Sequence, residues 1–386
     1  MRRLPIGDRA RSLTAAIAAM ALVNMVAALA PPMLAVVLDR QGVTAGLIGL
    51  NAAMMPIGVV LVAPLAPRWI AALGPARVMI RAMLVVAASF PLMAAVPDVY
   101  VWLPLRLLQG AALSLCWIAS EAWINGLADE RTRGRVLSFY SMAGFGGSMS
   151  GPPVLVAVGT SGWPPFLAAA TLVAAGVLLV ALGRDVRPDM AGQASARLWR
   201  FLLLAPIAMT TVFIEAGVGQ ALSSFLPVYA LERGLAEGPA LLLITAMHAG
   251  GLALQYPLGW LADRVNRSVM AVAAVAALAL ALALIPWALD TGQAAIVFFF
   301  VFGGVRAAVY IVGIVLVGQS FRGADLAAAS TAFTVMWNIG ALAGPSGAGM
   351  AMDAVGGDGL MLALALAVGL SVPGLAALAL RSGRSG

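Results

Sequence analysis

Twelve apolar stretches of about twenty residues each constrain this chain more than any other feature. They fall near 13–38, 46–66, 77–96, 100–123, 136–158, 163–183, 203–230, 238–262, 268–288, 293–317, 326–350 and 358–380. As a helix, a run of that length spans about 30 Å of hydrocarbon. Only helices and closed barrels can cross that layer, because it offers backbone polar groups no partner but each other. Barrel strands would alternate over about ten residues, a pattern this sequence lacks. The sequence therefore predicts an all-α polytopic membrane protein with twelve transmembrane helices. Composition agrees, with 62% hydrophobic and 10% charged residues among 386, against about 25% charged in a soluble domain. A water-soluble enzyme, a nucleic-acid-binding module and a disordered chain are all excluded. The lipid bilayer is the expected surrounding partner.

The basic balance points the same way. All 23 basic residues are Arg, against 16 acids, for a net charge of +7. With the N-terminus placed in the cytoplasm, 18 Arg fall on the cytoplasmic side and only Arg40 and Arg233 on the other. The remaining three, Arg81, Arg106 and Arg306, lie within apolar stretches. That asymmetry follows the positive-inside rule and predicts cytoplasmic termini. It accounts for the charge without any nucleic acid. The absence of Lys beside abundant Ala, Gly and Arg suggests a GC-rich bacterial gene, hence a bacterial inner membrane. Cys116 is the single cysteine, so no intrachain disulfide or Cys-cluster metal site is available. No cofactor and no metal are expected.

Ala28-Leu29-Ala30 has the look of a leader cleavage site. Its apolar run is too long for a leader, and Pro31-Pro32 follow at once, so 13–38 reads as a spanning helix. The longest polar stretch, 184–200, reads as a cytoplasmic linker between two six-helix bundles, 1–183 and 201–386.

Self-comparison shows an internal repeat. Gly147-Ser-Met-Ser-Gly151-Pro152 in the fifth stretch matches Gly340-Ala-Leu-Ala-Gly344-Pro345 in the eleventh, offset by 193. Arg106 and Arg306 fall in the fourth and tenth, offset by 200, and read as matching places in the two halves. Ala63-Pro-Leu-Ala-Pro67-Arg68 matches Gly259-Trp-Leu-Ala-Asp263-Arg264, offset by 196. Three matches in one order predict two related, pseudo-symmetric halves in parallel orientation, an architecture of secondary transporters.

These residues resemble the major facilitator superfamily across essentially the whole chain. Gly259-Trp-Leu-Ala-Asp263-Arg264-Val-Asn-Arg267 is similar to its cytoplasmic G-x-L-a-D-R-x-x-R signature. Arg106-Leu-Leu-Gln109-Gly110 resembles its R-x-x-q-G motif, and Gly147 to Pro152 its exporter-associated G-x-x-x-G-P. Trp117-Ile-Ala-Ser-Glu121-Ala-Trp-Ile-Asn through Thr132-Arg133-Gly134-Arg135 resembles the YcaD-like permease branch, as do Pro227-Val-Tyr229 and Pro257-Leu-Gly259. Two departures stand out. Pro67 occupies the Asp position of the first loop signature, and the exporter motif occurs in both halves, which leaves direction open.

Polar groups in hydrocarbon are costly and usually face a cavity or a partner. Glu215, Glu121 and His248 are candidates for proton coupling, since desolvation brings a carboxylate's titration towards neutral pH. Each also has a structural reading: Glu215 paired and pinning its helix, Glu121 an ion-pair or capping carboxylate, His248 a packing residue. Arg106 and Arg306 suit an anion or a local partner, and the resemblance implicates the fourth-helix Arg in proton coupling. Asn24, Tyr310, Trp337, Asn338 and Gln255 are candidates for lining a substrate cavity, the resemblance placing helices one, four, seven and ten around it. Gly259, Asp263, Arg264 and Arg267 are candidates for a cytoplasmic gate, or form a surface salt bridge. Gly147, Gly151, Pro152, Gly340, Gly344 and Pro345 read as close-packing motifs.

The combined expectation is a monomeric secondary transporter moving a small organic solute by alternating access, with protons as coupling ion. No ATP-binding loop of the G-x-x-x-x-G-K-[ST] type exists, and there is no Lys to complete one. Nor does any nucleophile–base pair suggest an enzyme. A proton-independent uniporter or anion exchanger is the alternative within transport, and a non-transporting sensor or scaffold the alternative outside it.

Overall fold

The computed structural model describes residues 6–129, 132–183 and 199–382. Most of the 184–200 linker, with Arg184, Arg187 and Arg197, lies outside the described residues, as do Arg2, Arg3, Arg131 and Arg384. Among the described residues the chain forms fourteen helices. They are α1 (Ile6–Arg40), α2 (Ala45–Val62), α3 (Ala66–Leu73), α4 (Pro75–Ala95), α5 (Val99–Leu127), α6 (Arg133–Val158), α7 (Pro164–Ala181), α8 (Trp199–Leu204), α9 (Pro206–Glu232), α10 (Glu237–Ala262), α11 (Arg267–Leu289), α12 (Ala294–Ser320), α13 (Gly323–Val355) and α14 (Gly359–Ser382).

All but α3 and α8 have 18 residues or more, and ten are long and apolar enough to cross a membrane. The two long helices outside that set are α6 and α13, where Gly, Ser and Thr replace larger apolar residues. These are the helices that carry the G-x-x-x-G-P repeats. Apolarity there is traded for close approach.

Short α3 occupies what reads from sequence as a loop. Pro67 sits in its first turn, where a missing N–H costs nothing, and Ala66 and Ile70 bury one face at i, i+4 spacing. Gly74 then ends it at φ 86°, a conformation that favours glycine.

The chain divides into two compact units, one of residues 1–37 with 54–193, the other of 38–53 with 194–386. Each is built on the same internal contacts. In the first, a Cβ on Gly147 would overlap the Ala21 carbonyl and one on Gly151 would lie 2.6 Å from the Met25 carbonyl oxygen. In the second, Gly340 meets the Phe213 carbonyl and Gly344 that of Gly217. Gly110 against Met55 and Gly58 against Leu107 are repeated by Gly303 against Met247 and Gly250 against Phe300. At all these crossings α1 and α2 match α9 and α10 at an offset of 192, and α5 and α6 match α12 and α13 at 193.

This register corrects two expectations. Arg306 corresponds to Leu113 and Arg106 to Phe299, so the two arginines do not hold matching places. They lie two helical turns apart in register, on opposite sides of the Gly110 and Gly303 crossings. Likewise the helix caps Gly74 and Asn266 match at 192, which places Ala71, not Pro67, opposite Asp263. The first loop copy still lacks the acid.

At one end of the second unit, Asp353 accepts from Ala45 N and Gly46 N, each at 2.8 Å, and so satisfies the start of α2. Nearby Arg40 pairs with Glu237 at 2.6 Å. Beyond α9, Asp358 accepts from the Tyr229 hydroxyl and the Arg233 guanidinium. Those bonds hold its carboxyl below the usual carboxylate range. Replacing Asp353 with alanine should cost about 0.5–2 kcal/mol by removing a carboxylate cap from the start of α2, seen as a lowered unfolding temperature in detergent.

Candidate functional site

The strongest ionic feature inside the spanning helices lies in the second unit. Glu215 sits mid-way along α9 and Arg306 mid-way along α12. Their Oε1 and Nη2 atoms are 2.5 Å apart, with the two side chains only 14% and 13% exposed. Gly219, one turn after Glu215, makes this possible, since a Cβ there would collide with the guanidinium. The other terminal nitrogen of Arg306, Nη1, lies 3.3 Å from Met247 Sδ on α10. Its Nε is buried without a partner, as is Nδ1 of His248 on the next residue of α10. Arg306 is near enough to act on the charge of His248, and Glu215 on that of Tyr310. Four residues expected separately, Glu215, Arg306, His248 and Tyr310, are thus brought into one neighbourhood. Gly219 and Met247 were not foreseen; the helical spacing of Gly219 from Glu215 was the available signal.

Tyr310 also meets Phe333 edge-on, with ring centroids 5.8 Å apart. Tyr310 and Trp337 are both half-buried against a cluster that includes Phe201, Met209, Val212 and Phe333. Asn338 is buried and donates to the Thr334 carbonyl of its own helix at 2.9 Å. Gln255 is exposed along α10.

In the first unit the ionic pattern differs. Val23 stands where the repeat would place a second Glu215, so α1 offers no acid at that level. Arg106 is 3% exposed. It donates to Gln109 Oε1 at 2.9 Å, and Gln109 in turn donates to Ser89 Oγ at 2.7 Å. This chain, which holds no carboxylate, ties α5 to α4. Asn24 of α1 receives a 3.4 Å contact from Trp117 Nε1, and its own amide donates to the Met20 carbonyl. By register, Trp117 corresponds to Tyr310, so an aromatic side chain recurs at this level of both units. Glu121 is exposed, beside Tyr140, whose hydroxyl is 2.9 Å from Ser120 Oγ.

At the end of α10, the Asp263 carboxylate is 74% exposed and lies 3.7 Å from Arg267 of the next helix. Arg264 stacks on Trp260, 3.8 Å from the ring centroid. Open space surrounds Gly259. An exposed pair of this kind contributes under about 1 kcal/mol. Asp263→Asn should therefore leave the unfolding temperature within a degree or two of the parent. A large fall in a thermal melt would show that Asp263 has a partner beyond Arg267.

With this geometry in place, comparison with known proteins gives the affiliation. The profile of the Major Facilitator Superfamily matches residues 13–345. An uncharacterized MFS-type transporter, YfkF of Bacillus subtilis, is 25% identical over 242 residues, 61% of this chain and 62% of that one. YcaD of Salmonella dublin, also an uncharacterized MFS-type transporter, is 24% identical over 254 residues, 65% of each. The chain thus matches a little under two thirds of the length of these relatives. Among solved structures, the nucleoside transporter NupG superposes with a TM-score of 0.79 at 13% identity, over 96% of this chain and 99% of that one. A D-xylose-proton symporter gives 0.73 at 16% identity, over 94% and 96%. At such identities the likeness is one of fold. On the extent of the profile match, this multi-pass membrane chain belongs to the major facilitator superfamily.

Proposed function

We propose that this chain is a secondary transporter of a small organic solute, working by alternating access and coupled to protons. The single observation that carries the reading is the Glu215–Arg306 pair within the spanning helices. A carboxylate in that position has two uses. Ionised, it neutralises Arg306; protonated, it frees the guanidinium for another partner. A switch between those states, biased differently in two conformations, is what coupling requires. The same fold serves a sugar–proton symporter and a nucleoside transporter, which fits a small polar solute. The distribution of Arg supports placement in a bacterial inner membrane with both termini cytoplasmic, and nothing in the mechanism needs more than one copy. Asp263 would act as a latch at the cytoplasmic face, exchanging Arg267 for another partner between states.

The test is uptake by proteoliposomes from a defined mixture of metabolites, with the lumen alkaline relative to the medium. At least one organic solute should accumulate, and nigericin, which collapses the pH gradient, should abolish its accumulation. Accumulation insensitive to the gradient would overturn proton coupling, and none at all would overturn transport of such solutes.

A further inference from the structure

We propose that the solute carries a carboxylate, which replaces Glu215 on Arg306 while Glu215 takes up a proton. The inference rests on the carrier reading above and adds to it the substrate class and the charge balance.

The argument starts from what Arg306 leaves unused. A guanidinium presents five N–H donors in a planar fork and has no other way to satisfy them. Glu215 engages this fork through one oxygen, at Nη2. Nη1 faces a thioether, a weak acceptor, and Nε is buried with no acceptor. In a site largely shielded from water, unmet donors on a charged group cost more than those of a neutral one. A planar carboxylate that engages two donors together answers this deficit better than the single contact present. His248 Nδ1 is a further buried, unpartnered polar atom nearby. Tyr310, one turn beyond Arg306, supplies an aromatic flank. The surroundings therefore match an organic anion with an apolar body.

Few charged or titratable groups face Glu215. From α12 they are Arg306 and Tyr310, and from α10 His248, beside Arg306. Helix α13 meets this part of α9 at Gly340 and Gly344, and neither 336–348 nor the apolar runs 268–289 of α11 and 359–380 of α14, which also touch α9, hold a titratable side chain. Protonating Glu215 alone would strip Arg306 of its counter-charge, and an anion arriving alone would meet the Glu215 carboxylate. Each event removes the other's penalty, and such coupling is reciprocal. One proton then enters with one carboxylate, so the loaded and empty sites carry the same net charge. Transport by this route is electroneutral. A pH gradient drives it, and a membrane potential, which acts on net charge moved, does not.

The test uses the full chain in lipid nanodiscs in weak buffer near pH 7, titrated with benzoate, acetate and succinate, and with benzamide as the uncharged control. At least one carboxylate should bind saturably and draw about one proton per site from solution. Its affinity should fall as the pH is raised, by up to about tenfold per pH unit for one linked proton, and benzamide should show neither effect. Arg306→Lys keeps the charge but loses the fork, and should weaken binding at least tenfold. Glu215→Gln should bind with no proton uptake and no pH dependence. Should that variant fail to fold, the proton count on the unaltered protein decides alone. Binding without proton uptake, equal binding of benzamide, full affinity in Arg306→Lys, or no binding by any carboxylate would overturn the assignment. Gradient-driven uptake of a neutral or cationic solute would remove the carboxylate and leave proton coupling standing. Carboxylate binding with proton uptake but no entry into vesicles would keep the carboxylate and its proton and remove the carrier reading.

Discussion

Replacing Gly303 with alanine should destabilise the second unit by about 3 kcal/mol or more, at the upper end of overpacking costs. A methyl group there would collide with the Met247 carbonyl oxygen and sit 2.7 Å from its carbon. Backbone lies on both sides of the contact, so no rotamer change relieves it and α12 must move off α10. Gly110→Ala meets Met55 in the same way and should damage the first unit equally. Gly374→Ala is the control. Open space surrounds that position, and alanine is the better helix former by up to about 1 kcal/mol, so the change should be neutral or slightly stabilising. Monodispersity on size exclusion and the unfolding temperature in detergent check all three. Comparable behaviour of Gly303→Ala and Gly374→Ala would mean that α10 and α12 are not in backbone contact.

A second large effect is expected from breaking the buried ion pair on one side only. Glu215→Gln leaves Arg306 charged and without a counter-ion, and Arg306→Met leaves the carboxylate alone. Losing one member of such a pair costs about 3–5 kcal/mol, whereas replacing both with apolar residues of similar volume is often neutral. The double variant Glu215→Leu/Arg306→Met should therefore recover most of the stability lost in either single one, while gradient-driven transport stays absent. A cycle of unfolding measurements isolates that coupling. Additive losses across the cycle would show that the two side chains act independently.

The residues differ in how readily they declared these roles. Spanning segments are legible because hydrocarbon demands long apolar runs, and every long helix coincides with one of the twelve stretches. Helix α3 escaped notice because eight residues with only Ala66 and Ile70 buried carry too little periodicity beside Pro64, Pro67 and Gly74. The repeat was visible in Gly147 and Gly340, but its register was not. Matching Arg106 to Arg306 by letter gives an offset of 200, whereas the carbonyls that meet the glycines give 192 and 193. Only packing distinguishes the two. The pairing of Glu215 with Arg306 joins positions 91 residues apart, which no local pattern encodes. Gln109 stood in the motif around Arg106, yet its role as that arginine's acceptor depends on Ser89 of another helix.

Proton movement itself tests the central claim most directly. A pH dye enclosed in proteoliposomes, with no gradient imposed, would be followed as a solute accepted by the protein is added outside. The account predicts that the lumen acidifies as the solute enters through the unaltered protein, and that no proton moves through Glu215→Gln although exchange of the solute persists. Solute entry without acidification, or acidification undiminished in Glu215→Gln, would contradict it.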